Sequence, residues 1–240
     1  KFVERRKGKI DDAGAKEKLT NDVNYFGTML IFTDKVGGLV SGAIHSTGDT
    51  VRPALQIVKT KPEYNKVAGC FILRKGEEVY LFADGGVNLD PSAEDLAETA
   101  IQTAETAKKF GIDPKVAMLS FSTMGSASSD EVTKVQEATK LAKEKAPDLD
   151  VDGELQFDAA FVPEVAALKA PDSKVAGKAN VFIFPNLAAG NIGYKLVQRL
   201  GGFAAIGPLL QGLNAPINDL SRGCNADEVY TMAIITAALA

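Results

Sequence analysis

The stretch from residue 39 to residue 53 reads LVSGAIHSTGDTVRP. Its apolar start predicts a strand over Leu39–Ile44, and the hydroxyl-rich loop that follows opens a helix running to about Lys59. A strand, a Ser/Thr/Gly loop and a helix form the repeating unit of α/β folds, and such loops can cradle phosphate. The stretch is not a Walker loop, because the Gly-Lys-Ser/Thr spacing is missing. The alternative is a simple N-cap with Arg52 on the solvated face.

The same alternation continues along the chain and predicts an α/β fold with a largely parallel sheet. Further strands are predicted at Thr28–Thr33, Val67–Leu73, Val79–Ala83, Val116–Phe121 and Ala179–Phe184. Helices are predicted at Ser92–Phe110, Asp130–Lys145 and Asn191–Leu200. Candidate domain crossings near Lys59–Glu63 and residues 207–216 predict two domains, 1-62 plus 209-240 and 63-208. In such folds ligands bind at the carboxyl ends of the strands.

A second informative stretch, residues 218–228, reads NDLSRGCNADE. Asn225 has the position of an N-cap, and Glu228 follows three residues later with capping-box spacing. A helix N-terminus presents free N–H groups and positive potential. With Arg222 fixed beside it, this turn suits a phosphate or a developing oxyanion.

Two more segments allow both a functional and a structural interpretation. The basic cluster Glu4–Lys9 is typical of a solvated helix end, but it could also pair with an acidic ligand. The segment Phe184–Lys195 is either a strand-to-helix turn with Asn caps or a backbone-lined ligand wall. Of the two cysteines, Cys70 lies in an apolar strand and is expected to be inert core, whereas Cys224 lies at an electropositive helix start.

Composition excludes several classes of function. The 240 residues carry 27 Lys and Arg against 31 Asp and Glu, a net charge of −4, which argues against general nucleic-acid binding. No apolar run is long enough for a membrane span, and a single histidine excludes a His-rich metal site. Two distant cysteines favour a reducing cytoplasm. The chain begins at Lys1 in what reads as a helix interior, so we expect it to be part of a longer protein.

Taken together and in order, these segments resemble the phosphate acetyltransferase (phosphotransacetylase) family over essentially the whole chain. The segments that carry the resemblance are Glu4–Lys7, His45–Pro53, Met118–Thr123, Asp152–Ala160, Phe184–Leu187 and Asn218–Cys224. The resemblance implies the exchange acetyl-CoA + phosphate = CoA + acetyl phosphate. It also implies two α/β domains with a cleft between them, a fold similar to isocitrate and isopropylmalate dehydrogenases, a homodimer, and no tightly bound cofactor or metal. Family members begin upstream of Lys1, so the first domain is expected to be incomplete.

The resemblance also suggests roles for individual residues. Arg222 would clamp the phosphoryl group, and Ser221 with Ser46 or Thr47 would donate to the oxyanion while CoA thiolate attacks acetyl phosphate directly. The family's catalytic carboxylate, usually an Asp, falls on Glu228; because the acid order is swapped here, Asp227 is the alternative. Residues expected on the CoA or phosphate side are Arg6, Arg52, Asn186, Gly223 and Cys224.

Two other functions fit these residues. A phosphate butyryltransferase would differ mainly in pocket volume, since one methylene changes binding only modestly. A non-catalytic fragment that binds CoA or acetyl phosphate is the alternative outside enzymes. A metal-dependent dehydrogenase of similar fold is disfavoured, because neither clustered Asp ligands nor a nicotinamide fingerprint is present.

Overall fold

The chain forms two units, and the computed structural model describes all residues from 1 to 240. Unit 1 comprises Lys1–Val67 and Gly207–Ala240, and unit 2 comprises Ala68–Ile206. The chain therefore leaves unit 1 once and returns to it once. Helices and strands are numbered along the whole chain below.

Unit 1 contains a small sheet with helices. Its helices are α1 (Phe2–Arg5), α2 (Asp12–Asn21), α3 (Val23–Phe32), α4 (Thr47–Pro53) and α10 (Ala226–Leu239), and a π-helical segment, Ala54–Val58, continues α4. Its strands are β1 (Leu39–Ser41), β8 (Ile217–Asp219) and the end of β7 (Ala204–Gln211), a strand that begins in unit 2. The strand order is β1-β8-β7, with β1 parallel and β7 antiparallel to β8.

Unit 2 is built on a five-stranded sheet. Its strands are β2 (Ala68–Lys75), β3 (Glu78–Ala83), β4 (Val116–Leu119), β5 (Val151–Leu155) and β6 (Val181–Ile183). Its helices are α5 (Ala93–Lys109), α6 (Asp130–Lys145), α7 (Phe157–Phe161), α8 (Pro163–Lys169) and α9 (Leu187–Gly201). The order is β2-β3-β6-β4-β5, and every pair is parallel except the β2–β3 hairpin.

The alternation of strands and helices confirms the predicted α/β class. Capping residues in the sequence predicted the positions of several helices correctly. Helix α6 has the predicted bounds, and Ser129 Oγ caps it by accepting from the Val132 N–H at 3.2 Å. The long helix α5 begins with a capping box in which Ser92 and Asp95 exchange hydrogen bonds.

The predicted strand at Thr28–Thr33 is wrong, because these residues lie in or directly after α3. Asp22 caps that helix by accepting from the Asn24 and Tyr25 N–H groups. Short apolar runs are ambiguous between strand and buried helix. Here the cap and burial against the π-helical segment decide for helix; Tyr25, Met29 and Ile57 share one core cluster.

The sequence pattern did not predict three of the strands or the first residue of one helix. Strands β5, β7 and β8 contain acidic residues, glycine, proline or asparagine, which weaken the strand signal. Helix α9 begins at Leu187 rather than Asn191, with Asn186 Oδ1 accepting from the Ala189 N–H at 3.0 Å. The small residues of its first turn allow close packing, since a Cβ on Gly190 would overlap the Asp84 carbonyl.

The pairing of β1 with β8 positions the loops that matter for function. The two strands are parallel, with Leu39 opposite Ile217 and Ser41 opposite Asp219. Because both strands end in the same direction, the loop into α4 and the turn into α10 leave the same edge of the unit 1 sheet. Gly42 has φ +107 and leaves no room for a Cβ against the Asp219 carboxylate and the Leu220 backbone. The two loops therefore lie in direct contact.

We expect Gly42→Ala to destabilise the protein by about 3 kcal/mol, because it adds both backbone strain and overlap with Asp219. Gly76→Ala is the matched control, since Gly76 also has positive φ (+60) but nothing lies within 4 Å of the point that a Cβ would occupy. That control should cost only about 1 kcal/mol. Urea unfolding followed by circular dichroism measures both. Equal losses would contradict the close contact between the two loops.

Candidate functional site

The carboxyl edge of the β1–β8 pair gathers most of the predicted site residues. The loop after β1 brings Ser46 and Thr47, and the turn after β8 supplies Ser221, Arg222, Gly223, Cys224, Asp227 and Glu228. These residues come from two segments that are distant in sequence, and the strand register places them at one edge. We call this set of loops the unit 1 edge.

A buried carboxylate lies beneath the unit 1 edge. Asp219, the last residue of β8, is only 1% exposed. Its Oδ2 accepts from Thr47 Oγ1 at 2.8 Å, and its Oδ1 accepts from Thr50 Oγ1 at 2.8 Å. Burial raises the pKa of Asp219 above its usual value, and the two hydroxyls only partly offset that rise. The carboxylate thus fastens the first turn of α4 to the end of β8.

The hydroxyls of the α4 loop have their single protons already committed. Thr47 donates to Asp219, and Ser46 Oγ donates to Asp49 Oδ2 at 2.7 Å. Hydrogen bonds from the Ser46 hydroxyl and backbone N–H hold the pKa of Asp49 below its usual value. A hydroxyl that donates inward presents only lone pairs outward. This description applies to Thr47, which donates to the buried Asp219, whereas Ser46 and its acceptor Asp49 are both exposed.

The turn after β8 is free to act on a ligand. Arg222 is exposed and makes no hydrogen bond or ion pair within the chain. Ser221 Oγ accepts from the Gly223 N–H at 3.3 Å, which leaves its own proton available. Helix α10 begins directly after this turn, so its positive end faces the same region.

The predicted capping box of α10 is present. The Asn225 N–H donates to Glu228 Oε2 at 2.9 Å, and the Glu228 N–H donates to Asn225 Oδ1 at 2.9 Å. Glu228 is half-buried, and one of its carboxylate oxygens accepts the cap hydrogen bond. Asp227 is exposed and has no partner within the chain.

Three predicted residues lie elsewhere in their units. Arg52 is exposed in the last turn of α4. Arg6 follows α1 and is half-buried without a partner, while its neighbour Arg5 donates to the Ile57 carbonyl at 2.6 Å and so has a structural role. Asn186 belongs to unit 2, where it caps α9.

Unit 2 has a buried carboxylate of its own that sequence reasoning missed. Glu154 is 1% exposed and accepts from Ser122 Oγ at 2.8 Å and from the Gly125 N–H at 2.7 Å. Burial alone would raise its pKa, but these donors and Gln136 hold the pKa of Glu154 below its usual value. It organises the loop after β4. Glu154 and Asp219 each lie at or near the end of a short strand. Acidic residues are rarely fully buried, so sequence reasoning had no ground to expect a buried carboxylate at either position.

The described residues offer neither a metal cluster nor a membrane helix. No group of three or more His, Cys, Asp or Glu side chains is arranged to hold a metal ion. None of the helices combines the length and the apolar character that crossing a membrane requires.

Comparison with known proteins now identifies the family. A profile described as "Phosphate acetyl/butaryl transferase" matches residues 1–237. The chain belongs to the phosphate acetyl/butaryl transferase family. This confirms the resemblance drawn from the separate segments, and it places the unit 1 edge in a family of enzymes.

Similar proteins of known name indicate the branch of the family to which this chain is most alike. A phosphate acetyltransferase from Bacillus subtilis (strain 168) is 64% identical over 239 residues, which cover 100% of this chain and 74% of that protein. A phosphotransacetylase structure from Streptococcus pyogenes is 62% identical with a TM-score of 0.94, covering 99% of this chain and 72% of the other. Another structure shares the fold alone. It is titled a putative 4-hydroxythreonine-4-phosphate dehydrogenase from Salmonella typhimurium, and it is 14% identical with a TM-score of 0.58. The match covers 97% of this chain and 73% of the other. The dehydrogenase-like fold is thereby confirmed.

The two cysteines of this transferase lie in opposite environments. Cys70 is fully buried in β2, and burial together with the nearby Asp84 charge raises the pKa of its thiol. Cys224 is partly exposed in the turn before α10.

We expect iodoacetamide to label Cys224 in the native protein and to leave Cys70 unmodified, because alkylation needs an accessible thiolate. Peptide mass spectrometry measures both sites. Denatured protein should be labelled at both positions, and Cys224→Ser should lose the native label. Labelling of native Cys70 at a similar rate would contradict its burial.

Proposed function

We propose that the unit 1 edge carries the exchange of acetyl between CoA and phosphate. The observation that supports this most strongly is the 64% identity to a phosphate acetyltransferase over the whole chain. The same residues provide what the chemistry needs, namely a free guanidinium, a free hydroxyl and a helix N-terminus at one edge of the sheet.

Arg222 and Ser221 are the proposed anion-binding groups. In the forward step CoA thiolate attacks the acetyl carbonyl of acetyl phosphate, a tetrahedral oxyanion forms, and phosphate leaves. An arginine fork matches the oxygens of a phosphoryl group in a bidentate manner. Ser221 has a proton to donate and is proposed to stabilise the oxyanion, with Ser46 or Thr47 as the second donor once its hydroxyl is released from Asp49 or Asp219.

Thiol activation needs both a base and positive potential. A free thiol has a pKa of about 8.5, so only a few per cent is thiolate at neutral pH. Asp227 and Glu228 remain the family-based candidates for the base, and the cap bond favours Asp227 because Glu228 Oε2 is occupied. Gly223 would let the backbone approach the ligand, and Cys224 is proposed to be structural because no histidine lies nearby in sequence to act as its base.

The CoA side is assigned to more distant groups. We propose that Arg52 and Arg6 bind CoA phosphates, since neither side chain makes a hydrogen bond or ion pair within the chain. Asn186, which caps α9 in unit 2, is proposed as part of a ligand wall. The two units are proposed as the two catalytic domains of the family.

We also propose a homodimer and a cytoplasmic location, each supported by one feature of the chain. Helix α9 exposes Ile192, Leu196 and Leu200 at four-residue spacing, which would suit a homodimer contact. Both cysteines are free, which is consistent with a reducing cytoplasm.

We expect Arg222→Gln to lower kcat by about 10²–10³-fold, because one electrostatic contact to developing charge is removed. Thiol release from acetyl-CoA in the presence of phosphate measures turnover. Arg74→Gln, at an exposed arginine on β2, is the matched control and should retain activity. Wild-type protein that releases no thiol contradicts the function, whereas an active Arg222→Gln variant contradicts only the clamp.

Arg52→Ala should raise KM for CoA about tenfold with less change in KM for phosphate species, because a hydrogen bond to a charged group contributes about 1.5–3 kcal/mol. Initial rates at varied CoA and fixed acetyl phosphate, and the reverse, separate the two constants. Arg74→Ala controls for loss of an exposed arginine. An equal rise in both constants would remove the CoA assignment.

A further inference from the structure

Helix α1 is a single turn that depends on its neighbours for its position. A helix of four residues is not stable in water by itself. Phe2 is 4% exposed, shares a core cluster with Tyr25 and Ile57, and has its ring centre 5.8 Å from that of Tyr25. Arg6 is the C-cap, and its N–H donates to the Phe2 carbonyl at 3.0 Å. The backbone position of Arg6 therefore depends on how firmly this turn is held.

Arg5 fastens the turn to the end of the π-helical segment. Its Nε donates to the Ile57 carbonyl at 2.6 Å, and its Nη2 donates to the Val58 carbonyl at 3.3 Å. The guanidinium carbon lies 4.7 Å from the centre of the Phe32 ring. The last carbonyls of a helix lack intrahelical partners and carry partial negative charge, so a cationic donor is stabilising there. Arg5 thus joins the first turn of the chain to a helix end 52 positions further along the sequence.

The same contact links the two arginines that are proposed to bind CoA. The π-helical segment continues α4, and α4 carries Arg52. Arg6 directly follows the turn that Arg5 holds against this segment. The adjacent arginines differ in their bonding, because Arg5 donates to backbone carbonyls while the Arg6 side chain makes no hydrogen bond or ion pair within the chain.

We propose that Arg5 is a positioning residue for CoA binding, which holds α1 against the π-helical segment so that Arg6 reaches the CoA phosphates from a fixed backbone position. This inference rests on the proposed function. Ordering a mobile segment on binding costs conformational entropy and weakens affinity. With Arg5 in place, the backbone of Arg6 is ordered during folding, and that cost no longer opposes binding. Arg5 touches no substrate and acts through Arg6.

Calorimetric titration with CoA tests the role of Arg5 without turnover. Arg5→Met keeps an unbranched apolar side chain beside Phe32 and removes both hydrogen bonds. It should raise the Kd for CoA about tenfold, the effect of leaving roughly one residue to be ordered on binding. Lys18→Met is the matched control, because Lys18 also lies over an aromatic ring, 4.5 Å from the centre of Tyr25, but pairs with Asp22. Loss of that positive charge should leave the Kd unchanged.

A double-mutant cycle tests whether Arg5 acts through Arg6. Arg6→Ala should raise the Kd for CoA at least about tenfold, because a hydrogen bond to a charged group is lost. In that background Arg5→Met should have no further effect, since the side chain that it positions is gone. Increases that multiply would overturn the inference, because Arg5 would then act on CoA by a separate route. A wild-type Kd for Arg5→Met beside a weakened Arg6→Ala would overturn it as well.

Steady-state kinetics supply a readout that loss of folded protein does not mimic. Arg5→Met should raise KM for CoA about tenfold and change kcat and KM for acetyl phosphate by less than about twofold, because Arg222 and Ser221 are untouched. Arg5→Lys keeps a cationic donor for the Ile57 carbonyl, so its KM for CoA should stay within about threefold of wild type. A lower kcat with unchanged KM for CoA in Arg5→Met would overturn the positioning role.

Hydrogen exchange of α1, followed by NMR, separates this inference from the proposed function. The Arg5 and Arg6 amides, which donate to the Lys1 and Phe2 carbonyls, should exchange about tenfold faster in Arg5→Met and at the wild-type rate in Lys18→Met. Unchanged exchange in Arg5→Met overturns the inference whether or not thiol is released. If exchange and CoA binding change as expected but the wild type releases no thiol from acetyl-CoA and phosphate, the positioning role is supported and the proposed function is contradicted.

Discussion

The Asp219 carboxylate joins two parts of the chain that are distant in sequence. It closes β8, accepts from two threonines of α4, and lies against the backbone of Gly42, where no larger residue fits. Burying a carboxylate without a cation costs free energy, and here hydroxyl and backbone donors offset part of that cost. The position of the α4 loop relative to the Ser221–Glu228 turn depends on this contact, and so does the direction in which Thr47 donates.

Polar side chains at the unit 1 edge divide into two sets with opposite hydrogen-bonding character. Ser46 and Thr47 donate to carboxylates of the chain, Asp49 and Asp219, while Ser221 and Arg222 keep their donors free. An acyl transfer needs both kinds of group, because the nucleophile loses a proton while the carbonyl oxygen gains charge. The strand register of β1 and β8 supplies them at one edge from separate loops.

Local signals let the sequence predict the fold class, the bounds of α6, the extent of α5 to within a residue at each end and the capping box of α10, since caps depend on residues only three apart. The α3 segment was mistaken for a strand because its apolar run has no decisive period. Strand β8, only Ile-Asn-Asp, could not be recognised, since its burial comes from pairing with β1 far away in sequence. The candidate site residues were chosen from local patterns and from the resemblance, but the direction in which Thr47 donates depends on Asp219, which no local pattern reveals.

The strands at the free edges of the two units have a bearing on self-association. An exposed edge strand offers unpaired N–H and C=O groups to other extended chains and thereby promotes aggregation. Strand β1 offers only three residues, bounded by Gly38 and Gly42. At β5, Asp152 is paired with Lys143 at 2.8 Å, which puts charge beside that edge. Short length in one unit and charge in the other both discourage the growth of intermolecular sheets.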